Sequence, residues 1–329
     1  MNVRRLIPAA AVTGAVLLGL TACSSADGSE HKDGGRLDVV ASFYPMQFLA
    51  ERIGGEHVEV TSLTKPGVEP HDLELTYRQT GRLADADLIL YLKGIQPAVD
   101  EAVKLSEAPN TLDAATLTTL EDHGTEVGGH DHGEDEHGHD EHGHDEHAHE
   151  HEGDGAGADP HIWLDPVRYA EVAKGVGKNL EKTDPAHAAD YRENTDALVG
   201  ELGALDTAYR TGLKNTETRT FITTHSAFGY LAERYGLTQE GIAGIDPEAE
   251  PSPARISDLH SIAEKEKVTT VFFETLASDK TAKTVARDTG LRTDVLDPLE
   301  GITDASKGDD YIEVMKSNLA ALRTALGAK

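Results

Sequence analysis

The sequence predicts an α/β protein with two lobes, each built on a mainly parallel sheet flanked by helices, joined by one long rigid helix. Three observations predict this class. Short apolar, β-rich runs alternate with amphipathic helical stretches in both halves, one long helical pattern separates the halves, and 329 residues suffice for roughly two domains. Because strands that alternate with helices indicate βαβ crossovers, the strands of each lobe are expected to be parallel.

Each half contains three predicted strands, at 37–43, 58–63 and 87–92 in the first half and at 220–224, 268–273 and 292–296 in the second. Helices are predicted at 46–53, 76–84, 98–105, 227–235, 255–265, 280–289 and 310–326. A further helical period starts at Pro185, a residue suited to a first helical turn, and continues to about Leu213. We therefore expect an N-terminal lobe at 37–184, a linking helix at 185–214 and a C-terminal lobe at 215–329.

The first 22 residues have the pattern of a secretory signal peptide, with two arginines followed by a short apolar run. Cys23, the only cysteine, directly follows small residues that resemble a bacterial lipobox. We expect lipidation of Cys23, a flexible tether at 23–36, and attachment to the outer face of the cell membrane. A buried core cysteine and a plain transmembrane anchor are the alternatives, although Pro8 and Gly14 interrupt a run that is short for a bilayer span.

The charge distribution excludes some classes of function and isolates one unusual segment. With 59 Asp and Glu against 30 Lys and Arg, the net charge of −29 argues against a nucleic-acid partner. A single cysteine excludes a disulfide framework and a cysteine-rich zinc finger.

Residues 121–159 hold 15 Asp and Glu, no Lys or Arg, and ten of the 17 histidines. Since this composition buries no apolar surface, residues 121–158 are predicted to be a disordered loop.

The histidines of this loop are predicted to bind zinc weakly at several exchangeable sites; a merely solvated acidic spacer is the alternative. The candidate loop ligands are His130, His132, His137, His139, His142, His144, His147, His149 and His151.

Three histidines outside the loop have contexts that suggest a metal site. His71 and His225 lie in strand-to-helix loops of different halves, and His161 precedes a helix beside the only tryptophan. Because the carboxyl ends of parallel strands meet at one edge of a sheet, His71 and His225 are expected on opposite walls of a cleft. Three imidazoles suit Zn²⁺, which takes a fourth ligand that Asp297 or Glu300 could supply. Buried structural roles are the alternative for each residue.

Four phrases resemble the zinc/manganese solute-binding lipoproteins of ABC transporters, and lie at 69–72, 159–166, 224–230 and 296–300. The resemblance implies two α/β lobes with a linking helix, a metal between the lobes, and delivery to a membrane permease. It also implies zinc rather than manganese, because the position of His225 tends to be a carboxylate in manganese members. The Pro-Leu-Glu phrase ranks Glu300 above Asp297 as fourth ligand, with solvent as a further alternative.

The expected function is therefore extracytoplasmic capture of Zn²⁺, the transported ligand, and its hand-off to an ABC importer by a tethered, non-enzymatic monomer. One alternative is a zinc-dependent hydrolase with the same histidines and an open metal position. The absence of His-Glu-x-x-His and Gly-x-Ser-x-Gly motifs from the sequence weighs against it. The other is a zinc buffer or sensor that acts through the His-rich loop.

Overall fold

The computed structural model describes residues 35–106, 108, 110–123 and 158–329, of which Arg36–Lys329 form one compact unit. The predicted signal peptide, Cys23 and the loop histidines from His130 to His151 lie outside the described residues. In the part that is described, no helix has both the length and the apolar character needed to cross a membrane.

Two four-stranded sheets organise this unit, and all their strands are parallel. The strands are β1 Leu37–Ala41, β2 Val58–Ser62, β3 Leu88–Tyr91, β4 Thr111–Asp113, β5 Thr220–Thr223, β6 Thr238–Gly241, β7 Thr270–Phe273 and β8 Arg292–Val295. The orders are β2-β1-β3-β4 and β6-β5-β7-β8, so the two sheets share one topology. The predicted fold class is confirmed.

Nine α-helices accompany the strands in the described residues. They are α1 Tyr44–Gly54, α2 Tyr77–Asp85, α3 Pro97–Leu105, α4 Pro166–Thr183, α5 Ala188–Gly212, α6 Gly229–Tyr235, α7 Pro253–Lys265, α8 Lys280–Thr289 and α9 Tyr311–Ala325. Helix α5 lies between the two sheets in the chain, and its 25 residues span about 37 Å at ~1.5 Å per residue.

Helix α5 begins three residues later than the helical period predicts, because Pro185–His187 form a 3₁₀ turn. Asp184 holds this turn: its backbone oxygen accepts from the His187 N–H, and its carboxylate lies 2.6 Å from Nδ1 of the same residue.

The largest buried cluster runs through both halves of the unit. It joins Val39 of β1 and Phe221 of β5 to Trp163, to Leu202 of α5 and to Met315 of α9. The neighbouring strand residues Val40 and Ile222 belong instead to smaller clusters, because alternate strand side chains point to opposite faces of a sheet. Each sheet is therefore covered on both faces, with one face in a core that the two halves share.

Strands β4 and β6 were not predicted from the sequence. Both are edge strands, β4 has only three residues, and β6 reads Thr-Gln-Glu-Gly without an apolar run. Their pairing with β3 and β5, rather than their own side chains, defines them.

Candidate metal centre

Four side chains that can bind a metal converge from both halves of the fold. His71 follows β2, His225 follows β5 and Glu300 follows β8, so that all three lie beyond the carboxyl ends of parallel strands. His161 lies just before the short turn Ile162–Leu164 that leads into α4. One ligand atom from each of the four lies within 4.8 Å of the others.

The spacing of these atoms matches a tetrahedral zinc shell. Glu300 Oε1 lies 3.4 Å from His71 Nε2, 3.3 Å from His161 Nε2 and 3.4 Å from His225 Nε2. Zinc bonds of about 2.0–2.1 Å at tetrahedral angles place ligand atoms about 3.3 Å apart. The four side chains therefore fit a zinc ion.

Burial supports the same interpretation. His161, His225 and Glu300 are at most 1% exposed, and the side chain of His71 is 11% exposed. Within the described residues, His161 Nε2, His225 Nε2 and Glu300 Oε2 are buried without a hydrogen-bond partner. Since a buried polar atom without a partner costs free energy, an ion bound at these atoms would remove that cost.

Two carboxylates orient two of the imidazoles. Asp159 Oδ1 lies 2.8 Å from His161 Nδ1, and Glu274 Oε1 lies 2.8 Å from His225 Nδ1. Glu274 directly follows β7 and also accepts a hydrogen bond from Thr224 Oγ1. A carboxylate on Nδ1 fixes the tautomer that leaves Nε2 free for a metal, as at many zinc centres.

The loop that carries Glu300 is held tightly, and this explains where Asp297 lies. Leu299 is wholly buried with a φ of 59°, a strained conformation for a bulky residue. Asp297 accepts from the Leu299 N–H through Oδ1 and from Thr275 Oγ1 through Oδ2. Trp163 Nε1 donates to the Pro298 carbonyl and ties this loop to the His161 segment. Asp297 thus lies outside the group of four and supports the turn that presents Glu300.

The pKa values of Glu300, His161 and His225 are shifted by their neighbours. Burial alone would raise the pKa of Glu300, but the three histidines hold that pKa well below its usual value. Burial lowers the pKa of both His161 and His225, but nearby carboxylates outweigh it. Asp159 and Glu300 raise the pKa of His161, and Glu274 and Glu300 raise the pKa of His225. The carboxylate of Glu300 and the imidazoles of His161 and His225 therefore favour each other's charged forms.

Sequence reasoning missed three carboxylates around this centre. Besides Asp159 and Glu274, Glu69 lies near Glu300, and burial together with the Glu300 charge raises the pKa of Glu69 to about 8. Glu69 and Asp159 each precede a candidate histidine by two residues, and Glu274 directly follows a predicted strand, at the sheet edge where ligands gather. These positions in the sequence could have indicated that the three carboxylates lie near the metal centre.

The other described histidines lie away from the centre. His57 stacks on His187, with ring centroids 3.9 Å apart. His260 is half-exposed beside Glu264. His123, placed by composition in the disordered loop, is described and packs against Tyr230. The folded part therefore extends further into residues 121–158 than predicted.

Comparison with known proteins identifies the family. The sequence model of the periplasmic A component of zinc-uptake complexes, ZnuA, matches residues 39–325. The high-affinity zinc uptake system protein ZnuA of Bacillus subtilis is 36% identical over 97% of both chains. The zinc-binding lipoprotein AdcA of Streptococcus pneumoniae is 35% identical over 92% of this chain, which spans only 58% of AdcA.

A solved structure agrees with this result. The Zn(II)-bound ZnuA-like domain of Streptococcus pneumoniae AdcA aligns with a TM-score of 0.69 at 31% identity, covering 89% of this chain and 99% of that one. The fold and the convergent His and Glu side chains are those of a metal-binding solute receptor. The chain belongs to the ZnuA family of zinc-uptake components.

Zinc binding at the four-residue centre is expected to release protons. The neighbouring carboxylates raise the pKa of His161 and of His225, so protons compete with a metal for these imidazoles up to a higher pH than at an unperturbed histidine. Apparent zinc affinity should therefore rise as pH rises and fall in acid. Calorimetry in buffers of different ionisation enthalpy measures the protons released. An affinity independent of pH, with no proton release, would contradict this charge assignment.

Glu274→Gln is expected to weaken zinc binding by about 10–100-fold, because the carboxylate that orients His225 loses its charge while its size is kept. Competition with a chromophoric chelator measures the change. Glu264→Gln on α7 is the matched control, since Glu264 is exposed and, among the described histidines, contacts only His260. Equal affinities for the two variants would show that Glu274 does not orient a metal ligand.

Proposed function

We propose that this protein captures Zn²⁺ at His71, His161, His225 and Glu300 and delivers it to an ABC importer. The observation that carries the proposal is the position of Glu300 Oε1, 3.3–3.4 Å from Nε2 of all three histidines. Membership of a zinc-uptake family and the zinc-binding names of its relatives support the same function. The partner inferred from that membership is a membrane permease.

The ligand set favours zinc over manganese. Three imidazole nitrogens and one carboxylate oxygen suit borderline Zn²⁺, whereas Mn²⁺ prefers a shell richer in oxygen. Among the neighbouring carboxylates, Asp159 and Glu274 each place one oxygen at an Nδ1 atom and Glu69 accepts from the His71 N–H. Glu69 and Glu274 also lie close to Glu300, so the preference for zinc rests on the three imidazoles. Zinc is therefore the proposed cargo, with Glu300 rather than Asp297 as fourth ligand.

We infer that the protein has no catalytic role of its own. A catalytic zinc keeps an open position for water, whereas here four protein ligands converge, the number that a closed tetrahedral shell takes. The family is one of transport components, which agrees with a binding role. The hydrolase alternative is therefore not favoured, and neither is a buffer or sensor as the main function, since the cleft provides a complete site without the His-rich loop.

A zinc titration tests the cleft assignment. Full-length protein and a variant lacking residues 124–157 should each bind one zinc tightly, with weaker additional binding only in the full chain. This deletion keeps the Glu121 carbonyl that accepts from the Asp159 N–H across the ends of the loop. His225→Ala should lose well over 100-fold in affinity, more than removal of an orienting group costs. His260→Ala is the control and should bind normally.

One result would contradict the assignment of the cleft as the zinc site, and another would contradict a metal role for the His-rich loop. Absence of tight zinc binding in the deletion variant would mean that the cleft is not the site, and equal total stoichiometry in both proteins would remove any metal role for the loop.

Delivery is tested in cells that depend on this protein in zinc-poor medium. His225→Ala should abolish that growth, zinc supplementation should restore it, and His260→Ala should have no effect.

We further propose that the folded unit acts outside the cell membrane, held there by lipid on Cys23, with lobe and linker boundaries near 37, 185 and 215. The signal-like N-terminus and the relatives named lipoproteins support this location. Cys23→Ser should move the protein from the membrane fraction to the soluble extracytoplasmic fraction without changing its zinc affinity. Retention of the variant in the membrane fraction would refute the anchor.

A further inference from the structure

A second cluster of metal-binding side chains lies apart from the four-residue centre. It consists of His123, Glu121 and Glu233, here called the rim cluster. His123 Nε2 lies 2.9 Å from Glu233 Oε2 and 3.7 Å from Glu121 Oε2. These distances bracket the spacing of about 3.3 Å that a tetrahedral zinc imposes on its ligand atoms. The rim cluster can therefore close around a small divalent cation with modest side-chain movement.

A buried carboxylate oxygen adjoins this cluster on the Nδ1 side of His123. Asp159 Oδ2 has no hydrogen-bond partner in the described residues, its side chain is fully buried, and it faces His123 Nδ1 at 3.3 Å. A carboxylate on Nδ1 leaves Nε2 for a metal, as Asp159 Oδ1 already does for His161. One carboxylate is thus placed to orient an imidazole at each of two sites.

The surroundings fix His123 rather than leave it in solvent. Its ring packs edge-on against Tyr230 with centroids 4.4 Å apart, and its side chain is 16% exposed. A Cβ on Gly229 would overlap the His123 side chain and come within 2.9 Å of Asp159 Oδ2. Only glycine at the start of α6 leaves room for this arrangement.

We propose that Glu121, His123 and Glu233 form a second zinc site that uses three protein ligands and one solvent molecule. One imidazole and two carboxylates suit Zn²⁺, and the solvent position makes the ion exchangeable. Asp159 and Glu233 already favour positive charge on His123, since together they raise its pKa despite the opposing effect of burial.

The charges of the cluster are consistent with a dication. Three carboxylates, from Glu121, Glu233 and Asp159, face the imidazole. Of the two arginines nearby, Arg168 contacts Glu121 and Arg234 pairs with Asp165. Arg168 contacts Glu121 Oε1 and lies over the Tyr230 ring, so that Glu121 Oε2 remains on the side of His123. The guanidinium thus positions one ligand while leaving excess negative charge for an ion to neutralise.

The location suggests what the rim site does. It lies at the start of the His-rich segment, and Asp159 links it to His161 of the four-residue centre. A metal that leaves the segment would therefore reach an exchangeable site adjacent to the cleft. This supply role depends on the proposed function, whereas binding at the rim cluster does not.

Crystals of the full chain grown with a small excess of zinc, measured at the zinc absorption edge, test the site. We expect one anomalous peak among the four cleft ligands and a second about 2.0–2.1 Å from His123 Nε2. His123→Ala and Glu233→Gln should each remove only the second peak. His260→Ala, which removes another histidine beside a glutamate, should remove neither.

The outcomes separate the two assignments. A filled cleft with no peak at His123 at saturating zinc, or a peak there that survives in both His123→Ala and Glu233→Gln, overturns the rim site. A peak at His123 with an empty cleft supports the rim site and refutes the proposed function. In solution, His123→Ala and Glu233→Gln should each lose one weaker zinc equivalent of the full chain while the tight equivalent is unchanged, and no loss in either variant would also overturn the site.

Discussion

The structure depends on a fully buried carboxylate, that of Glu300, held among three imidazoles. A buried ionised group is costly unless charge and hydrogen bonds compensate it. Here the nearest compensating groups are Nε2 atoms, two of which have no hydrogen-bond partner in the described residues. Glu300 and the imidazoles of His161 and His225 favour each other's charged forms, and a dication can supply the positive charge at the same atoms. The centre is therefore arranged for an ion before any ion arrives.

Contacts around the four side chains explain how distant segments hold these side chains in place. Asp159 and Glu274 orient imidazoles in different halves of the fold, and the Trp163–Pro298 hydrogen bond joins the His161 segment to the loop of Glu300. Preorganised ligands lose little conformational freedom when they bind, which favours affinity. The topology adds to this, since β5 and β7 are neighbours and His225 and Glu274 follow them directly.

Sequence predicted the fold class, six of the eight described strands, and the four side chains that converge. It succeeded where apolar runs define buried strands and where a histidine lies in a distinctive phrase. It missed β4 and β6, which depend on their neighbours for pairing, and the helix start at Ala188, which depends on Asp184. The partnership of Glu274 with His225, 49 residues earlier, requires knowing that β5 and β7 are adjacent. Composition likewise could not separate His123 from the loop histidines, because its place is set by Tyr230 and Asp159.

The shared core bears on how an ion could enter and leave. Residues of both sheets and of α4, α5 and α9 form one apolar cluster, and a large apolar interface resists hinge motion between lobes. The segments around His161 and Glu300, 159–166 and 296–301, are buried throughout. Between 65 and 76, by contrast, only Pro70 is buried, and His71 is the one partly exposed member of the four. Of the segments that carry the four side chains, the His71 segment buries the least, so its displacement would cost the least apolar burial.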